Sequence, residues 1–541
     1  MLMDGTHTQN KRNPNETHAW ILGSGTASLA SAVYLIQRGK LPPQNVHILD
    51  SHISMGAALH DMGDSSQGYD QFAGCLPVPI GTPLNELLAS IPSGRTQDPT
   101  VLEEIRKAEA SHMPTNRHHR TKFIVQRGRS KENLQVTKLG LSVKNRVDLA
   151  LLMLRSEKRL GRNQIRDFMS KSFFESIFWT TWAAQFGFQP WHSAIEFRRA
   201  LRQYLRQYPY LSILKCLDIT GYYQNESIFR PIYLYLYNLG VEFLFDTKVT
   251  DIIVTTVQDG RQKISRLNLL ANGFQITKEI NTEDIVIIML GSTVSGSSTG
   301  TNSHHPVCKR IEPTDELDEN WALWLELETN QLIFGNPYNY CTRMNESTLA
   351  SFTITTADAS LWEFLAYITD DGEAGTMIML PESNWRLRLC VPTQPVFSQQ
   401  PSDTYVLWGF MLLPQRKGNY VKKLMEQCSG AEILAEVLGH LGYPALVHHT
   451  MTIPRLMPRM TSMLLVRSMT DRPETVPAKS LNFGFVGQFV EIPRYSAVDI
   501  SYGIRTAQEA TSRLMGIPLP DNAYDDISST PANLLRLLSW K

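Results

Sequence analysis

Two glycines, a serine and an aspartate near the start of the chain have the residue types and the spacing that bind a dinucleotide. Gly23 and Gly25 allow a tight turn and a close approach of the backbone to a pyrophosphate. Ser28 stands where a third small residue lets helix and strand pack closely, and Asp50 could accept hydrogen bonds from ribose hydroxyls. These four residues predict a nucleotide cofactor.

A strand, a turn, a helix and a second strand must position these residues. The apolar run 19–22 predicts the first strand, residues 29–37 have a helical pattern, and the apolar run 46–49 predicts a second strand that ends at Asp50. The helix N-terminus would face the pyrophosphate, because its first N–H groups have no partner within the helix. With both strands and the acid present, the glycine turn is a much stronger signal than glycines alone.

Two further strands are predicted to end in a glycine, as in flavoproteins with two dinucleotide-binding folds. The run 285–290 ends at Gly291, where such folds pass near the adenosine, although any buried parallel strand can end in a turn. The run 481–486 precedes Gly487, and a helix from about Ser501 would bring its N-terminus towards the flavin and its ribityl chain.

Composition limits the possible partners and locations. A chain of 541 residues predicts two or three domains, and 52 Lys and Arg against 52 Asp and Glu give no overall charge to attract nucleic acid. The six cysteines form no CxxC pair, which argues against a metal site or a disulfide framework and favours a reducing compartment. With no apolar run of about 18 residues and no signal sequence, we expect a cytoplasmic protein.

Two long segments differ in character from the nucleotide-binding pattern. Residues 145–210 have a helical pattern rich in aromatic residues, which is typical of a core and also of the wall of an apolar pocket. Residues 301–450 mix strand and helix patterns, as expected for an inserted substrate domain.

The chain resembles the oleate hydratase family, also called myosin-cross-reactive antigens, over about residues 19–515. The resemblance is carried by residues 23–30, 178–179, 191–194, 334–337, 418–423, 487–494 and 505–508. It implies FAD as the cofactor, no net redox reaction, and addition of water across a carbon–carbon double bond of an unsaturated fatty acid. Relatives can isomerise double bonds and are often homodimers.

The predicted fold class is α/β, with a Rossmann-like FAD-binding domain of the two-dinucleotide-fold type, an inserted α+β substrate domain and a helical C-terminal part. The predicted domains are a flexible tail (1–18), a discontinuous FAD-binding domain (19–110, 225–300 and 450–515), substrate-binding regions (111–224 and 301–449) and a C-terminal tail (516–541).

Two segments depart from the family pattern where the chemistry should be. The family has an Arg-Gly-Gly-Arg-Glu-Met-Glu run that lies against the flavin and supplies the catalytic Glu, whereas residues 72–78 keep only Gly74 and place Leu76 at the acid. The family's Thr-x-Asn-x-Gln-Pro-His run, which helps to hold the fatty-acid carboxylate, has become the largely apolar segment 390–396. Because alkene protonation needs a positioned proton donor, we expect ordinary oleate hydration to be lost.

Three residues remain candidates for catalysis. Tyr222 matches the family's catalytic Tyr, although it could equally pack in the pocket and donate one hydrogen bond. Asp70 is a loop acid beside the altered segment, and its alternative role is that of a solvated carboxylate. Cys75 replaces an Arg near the flavin and could form an adduct or act as a small buried hydrophobe. The cofactor-binding candidates are Gly23, Gly25, Ser28, Asp50, Gly74, Gly291, Gly487 and Ser501.

These departures predict an FAD-binding enzyme that acts without net redox on the double bonds of an apolar unsaturated substrate, by isomerisation, cyclisation or divergent hydration. The alternatives are an oleate-type hydratase with a relocated acid, a flavin-dependent oxidoreductase, and a carrier without activity. Residues 532–541 predict a short amphipathic helix that could rest on a membrane surface or dock on the protein body.

Overall fold

The fold is built on a parallel sheet and a larger, mainly antiparallel one. The computed structural model describes residues 11–52, 63–70, 83–94, 99–112, 121–127, 130–134, 140–205, 225–307, 319–330, 332–369, 376–392, 394–443 and 448–520. The strands of these residues are β1 (Ala19–Leu22), β2 (Val46–Leu49), β3 (Gly63–Asp64), β4 (Gly68–Tyr69), β5 (Lys122–Arg127), β6 (Ser130–Leu134), β7 (Glu242–Leu244), β8 (Thr247–Thr256), β9 (Gln262–Ala271), β10 (Phe274–Glu279), β11 (Ile285–Met289), β12 (Ser298–Thr299), β13 (Leu349–Thr356), β14 (Thr376–Met379), β15 (Leu387–Val391), β16 (Tyr405–Met411), β17 (Thr450–Met457) and β18 (Phe483–Val486). The α-helices are α1 (Thr26–Gln37), α2 (Leu84–Ala89), α3 (Val101–His112), α4 (Val143–Leu154), α5 (Glu157–Leu160), α6 (Lys171–Phe174), α7 (Ile177–Phe186), α8 (Ala194–Tyr204), α9 (Arg230–Leu239), α10 (Glu319–Asn330), α11 (Tyr338–Cys341), α12 (Met344–Ser347), α13 (Ala359–Thr369), α14 (Gly430–Leu441) and α15 (Ile500–Met515).

The parallel sheet has the strand order β18–β11–β1–β2–β7. Every neighbouring pair in it is parallel, and β1, β2 and β18 are buried along their whole length, which explains their unbroken apolar sequences. Helices α1 and α15 pack against each other beside this sheet, and a Cβ added to Gly503 would lie 3.4 Å from the Cβ of Ala27. The carboxyl ends of the three predicted strands β1, β11 and β18 therefore lie at the same edge of the parallel sheet.

The second sheet has the order β12–β17–β13–β16–β15–β14–β5–β6, and only its β14–β5 pair is parallel. A smaller antiparallel sheet, β10–β9–β8, follows β7. The predicted α/β fold with a Rossmann-like domain and an α+β insertion is confirmed. The division into domains stays a prediction, and β17, which lies inside the range predicted for the FAD-binding domain, pairs within the larger sheet.

The aromatic side chains of the helical region form a core. Phe178 and Trp182 lie on α7, and their ring centroids are 5.5 Å apart. Phe197 on α8 meets Trp182 edge-on at 6.1 Å and Phe188 at 5.5 Å. All four residues are buried, so these rings pack against one another rather than facing solvent.

Buried ion pairs join α8 to the segments on either side of β18. The carboxylate of Glu196 lies 3.0 Å from Arg467 and 3.1 Å from Arg472. Arg199 lies 2.6 Å from Glu491, which also meets Arg467 at 2.7 Å. Burial alone would raise the pKa of Glu196, but the neighbouring guanidinium groups lower it to about 2. Glu196 is therefore a buried charge held by its partners.

Residues 11–18, the described part of the predicted N-terminal tail, contact the body of the protein, and the tail over 1–18 stays a prediction. The Arg12 guanidinium donates hydrogen bonds to the carbonyl oxygens of Leu514 at 2.9 Å, Leu481 at 2.6 Å and Glu283 at 2.9 Å. These contacts tie residues 11–18 to the parallel-sheet side of the molecule. Within the described ranges, no helix combines the length and the apolar character needed to cross a bilayer.

Candidate functional site

A cleft opens where β1, β2 and β11 end. It encloses about 230 Å³, and its lining includes Gly23, Ser24, Gly25, Asp50, Met289 and Trp324. Gly23 has φ +99°, in the left-handed region that favours glycine, and its N–H donates to the carbonyl of Leu49 at 2.8 Å. This bond ties the turn to the end of β2, so the turn and Asp50 share one wall of the cleft.

Gly25 is the N-cap of α1 and has extended backbone. The first N–H groups of α1 are thus available to an anion in the cleft, as the sequence predicts. A Cβ added to Gly25 would lie only 2.7 Å from Sδ of Met289, so no larger residue fits without displacing that side chain. Glycine at this position therefore keeps the backbone accessible to a phosphate.

Asp50 is buried and carries several hydrogen bonds. Its carboxylate accepts from the hydroxyl of Ser24 and, at 2.8 Å, from the backbone N–H of His52, whose Nδ1 lies 2.7 Å away. Burial alone would raise the pKa of Asp50, but the hydrogen bonds from His52 and Ser24 outweigh it and keep the pKa below its ordinary value of 3.8. Asp50 is an anion at neutral pH and can accept from ribose hydroxyls.

Met289, which was not predicted as a site residue, lies between the ends of β1 and β18. Its Sδ lies 3.8 Å from the hydroxyl of Ser28, and a Cβ added to Gly487 would lie 3.4 Å from its Cγ. The structure thus brings Gly25, Ser28 and Gly487 together around one side chain. The sequence feature that indicates Met289 is its position at the end of an apolar strand, two residues before Gly291.

Gly291 and Gly487 both need their glycine conformations, with φ values of +63° and +107°. A Cβ on Gly291 would lie 2.9 Å from the Trp321 ring and 3.0 Å from the Phe489 ring, so this glycine serves close packing next to the cleft. The N–H of Gly487 donates to the hydroxyl of Thr506 at 2.9 Å, which links the end of β18 to α15.

Ser501 lies in the first turn of α15. The helix begins at Ile500 and is capped by Asp499, whose carboxylate accepts from the N–H of Tyr502 at 2.9 Å. Ser501 is buried, and its hydroxyl has no hydrogen-bond partner among the described residues. A buried polar atom of this kind at a helix N-terminus is a suitable donor for a ligand oxygen.

Asp70 lies away from this cleft, at the end of β4, and forms an ion pair with Arg455 of β17. The preceding Tyr69 donates its N–H to the hydroxyl of Thr355 at 2.8 Å and stacks on Phe397 with centroids 4.6 Å apart. The structure therefore brings the segment before the altered 72–78 run next to Phe397, which directly follows the altered 390–396 segment. Tyr222, Cys75, Gly74 and Leu76 lie outside the described residues.

Apolar residues of the altered 390–396 segment are buried. Cys390 and Val396 are buried, and Val396 packs with Tyr69, Phe397 and Val406 in a small apolar cluster. Gln394 holds the segment in place, since its side-chain amide donates to the carbonyl of Val406 at 2.9 Å and accepts from its N–H at 3.1 Å.

Comparison with known proteins identifies the family. The model of the MCRA family matches residues 16–511. The chain belongs to the MCRA family. It is 31% identical to "Oleate hydratase" from Streptococcus pyogenes serotype M49 (strain NZ131), over 95% of this chain and 88% of that protein. It is 26% identical to "Linoleate hydratase" from Lactiplantibacillus plantarum, over 95% of this chain and 96% of that protein. A solved oxidoreductase from Methanosarcina mazei shares the fold, with a TM-score of 0.54 and 12% identity over 91% of this chain and all of that one.

Membership of the MCRA family confirms the predicted resemblance and supports FAD as the predicted cofactor. The cleft fits the adenosine and pyrophosphate part of FAD, because it combines an accessible helix N-terminus, a glycine that excludes a Cβ and a buried anionic Asp50. Gly23, Gly25 and Asp50, which line the cleft, would hold this part, and a contact of Ser501 with the cofactor stays a prediction. Both curated relatives are hydratases by name, which supports an enzymatic function for this MCRA protein.

Proposed function

We propose that this MCRA protein is an FAD-binding enzyme that acts without net redox on carbon–carbon double bonds of an apolar unsaturated substrate. Isomerisation or cyclisation, as in the tailoring of secondary metabolites, is the favoured reaction, with divergent hydration as the other form of the same chemistry. The observation that carries the proposal is the burial of Val396, at the position of the family's His, in an apolar cluster with Tyr69, Phe397 and Val406.

An apolar site changes what the protein can contribute to catalysis. Buried aliphatic and aromatic side chains cannot hold a carboxylate by hydrogen bonds, but they can fold and orient a polyene, and orientation alone accelerates an intramolecular reaction. Bound FAD would supply a flat, polar ring as an electrostatic or structural surface. Of the candidate residues, Tyr222 would donate a hydrogen bond or a proton to the substrate, and Cys75 would lie near the ring.

Asp70 is the acid that a relocated hydratase mechanism would use. Its pairing with Arg455 argues for an electrostatic role, because donating a proton requires the neutral acid, which cannot form that ion pair. The relatives named oleate hydratase and linoleate hydratase favour this second candidate function, in which binding of the substrate would release Asp70 from Arg455.

The experiment is product analysis of the FAD-loaded protein with oleate, linoleate and candidate polyenes. We expect isomerised or cyclised products from a polyene and hydration of oleate far below the usual enzymatic range of about 1–1,000 per second. Oleate hydration within that range would overturn the favoured reaction, and its loss in Asp70→Asn would then support the relocated acid. Bleaching of the flavin by NAD(P)H would instead support the oxidoreductase alternative.

Location, assembly and membrane contact are inferred from the sequence and from the family resemblance. We propose a cytoplasmic, homodimeric protein whose tail, 532–541, rests on a membrane surface. The tail lies outside the described residues. Co-sedimentation of the chain with and without residues 531–541 on vesicles tests the tail, and sedimentation velocity tests the dimer.

A further inference from the structure

Helix α4 presents an apolar stripe to solvent. The exposed fractions are 68% for Val143, 41% for Val147, 49% for Leu151 and 61% for Leu154. At about 100° per residue, these positions fall within about 80° of one another around the helix. The opposite face, with Leu149, Leu152 and Met153, is buried and packs towards α8. The stripe therefore faces directly away from the core.

Basic residues outnumber acidic ones in and after the helix that carries the stripe. In residues 143–167, three acids, Asp148, Glu157 and Asp167, are outnumbered by seven basic residues, Lys144, Arg146, Arg155, Lys158, Arg159, Arg162 and Arg166. The carboxylate of Glu157 forms an ion pair with the buried Arg199 at 2.7 Å, so its charge is balanced within the protein. The segment is thus strongly basic in a chain whose acidic and basic residues balance.

We propose that α4 and the basic residues that follow it dock the protein on a membrane surface that contains anionic phospholipids. An apolar stripe flanked by Lys and Arg can bury its aliphatic side chains at the boundary of headgroups and acyl chains, while the cations meet the phosphates. This docking site lies on the helical region rather than on the C-terminal tail, and it does not depend on which reaction the protein catalyses.

The excess of basic residues in this segment argues for lipid rather than for a second copy of the chain. In a two-fold dimer, the same patch meets itself, so the basic residues of one copy would face those of the other. Like charges at such short range repel, whereas an anionic bilayer offers the complementary charge. The apolar stripe and the basic residues of this segment therefore both favour an anionic membrane surface.

The test is binding of full-length, FAD-loaded protein to phosphatidylcholine vesicles with and without phosphatidylglycerol. Val147→Asp with Leu151→Asp should weaken binding tenfold or more, because two aliphatic side chains no longer enter the bilayer. Lys158→Glu with Arg159→Glu should weaken binding to anionic vesicles by at least about 25-fold, at roughly fivefold for each lost cation. Added salt should weaken binding of the wild-type protein.

Matched controls separate the alternatives. Leu234→Asp with Tyr237→Asp changes two exposed apolar residues of α9, 38% and 59% exposed, and should leave binding unchanged. Circular dichroism and flavin absorbance establish that each variant is folded. The proposal is overturned if the α4 variants bind like the wild type, if only Leu534→Asp with Leu537→Asp in the tail abolishes binding, or if the α4 variants alter the oligomeric state without affecting vesicle binding.

Discussion

Replacing Glu196 by glutamine should destabilise the fold by about 3 kcal/mol. Glu196 is fully buried, and its guanidinium partners lower its pKa from an ordinary value of 4.5 to about 2, a difference worth about 3 kcal/mol. Removing one charged partner from a buried ion pair typically costs about 3–5 kcal/mol of stability, and the value for Glu196 falls at the lower end of this range. For 541 residues that unfold as one unit, this corresponds to a fall in Tm of about 3 °C.

The same lowered pKa of Glu196 predicts how the effect depends on pH. A carboxylate with a lowered pKa stabilises the folded state fully above its unfolded pKa, and this stabilisation is lost as the pH falls towards the folded pKa. The difference in stability between the wild type and Glu196→Gln should therefore be constant near neutral pH and shrink below about pH 4.5.

Thermal and urea unfolding of the FAD-loaded proteins measure both effects. The matched control is Glu279→Gln, which removes an exposed carboxylate 2.8 Å from Arg266 and should cost at most about 1 kcal/mol. A Tm for Glu196→Gln within the error of the Glu279→Gln value, or a stability gap that stays constant down to pH 3, would refute the reasoning.

Three further predictions concern the cleft and a buried thiol. Gly25→Val should weaken FAD binding, because the new side chain must either displace the end of Met289, 2.7 Å from its Cβ, or occupy the turn where the phosphates approach the backbone, and an unchanged FAD-to-protein ratio after purification would contradict this. Asp50→Asn should weaken FAD binding about tenfold or more through the loss of charge-assisted hydrogen bonds, so an unchanged Kd in a fluorescence titration would remove Asp50 from the site. Burial raises the pKa of Cys428 to about 12, so iodoacetamide at pH 8 should alkylate it only after unfolding in urea, and peptide mapping would detect any native labelling.

Local features of the sequence predict the nucleotide end of the site well. Gly23, Gly25 and Asp50 belong to one strand–turn–helix–strand unit, so their spacing along the chain determines their geometry. The structure places all three in one cleft. Gly291 has a glycine conformation as expected, but its neighbours are the rings of Trp321 and Phe489.

Contacts between distant segments could not be predicted from local patterns. Met289 lies beside four predicted cofactor-site residues, Gly23, Gly25, Ser28 and Gly487, only because β11 is the neighbour of both β1 and β18. Asp70 and Arg455 are separated by 385 positions, and their pairing depends on how β4 packs against β17. Helix α4 has apolar residues on both of its faces, so its sequence does not show which face is exposed. The packing of one face towards α8 decides this.

A mass and electron balance tests the central claim, chemistry at a double bond without net redox, most directly. The FAD-loaded protein is incubated with linoleate or a terpenoid polyene in an oxygen electrode, with and without NAD(P)H, and the products are analysed by mass spectrometry. We predict products of unchanged mass, or with one added water, and no consumption of oxygen or NAD(P)H. Products that have lost two hydrogens or gained an oxygen atom from O₂, formed with matching consumption of oxygen or NAD(P)H, would contradict the account.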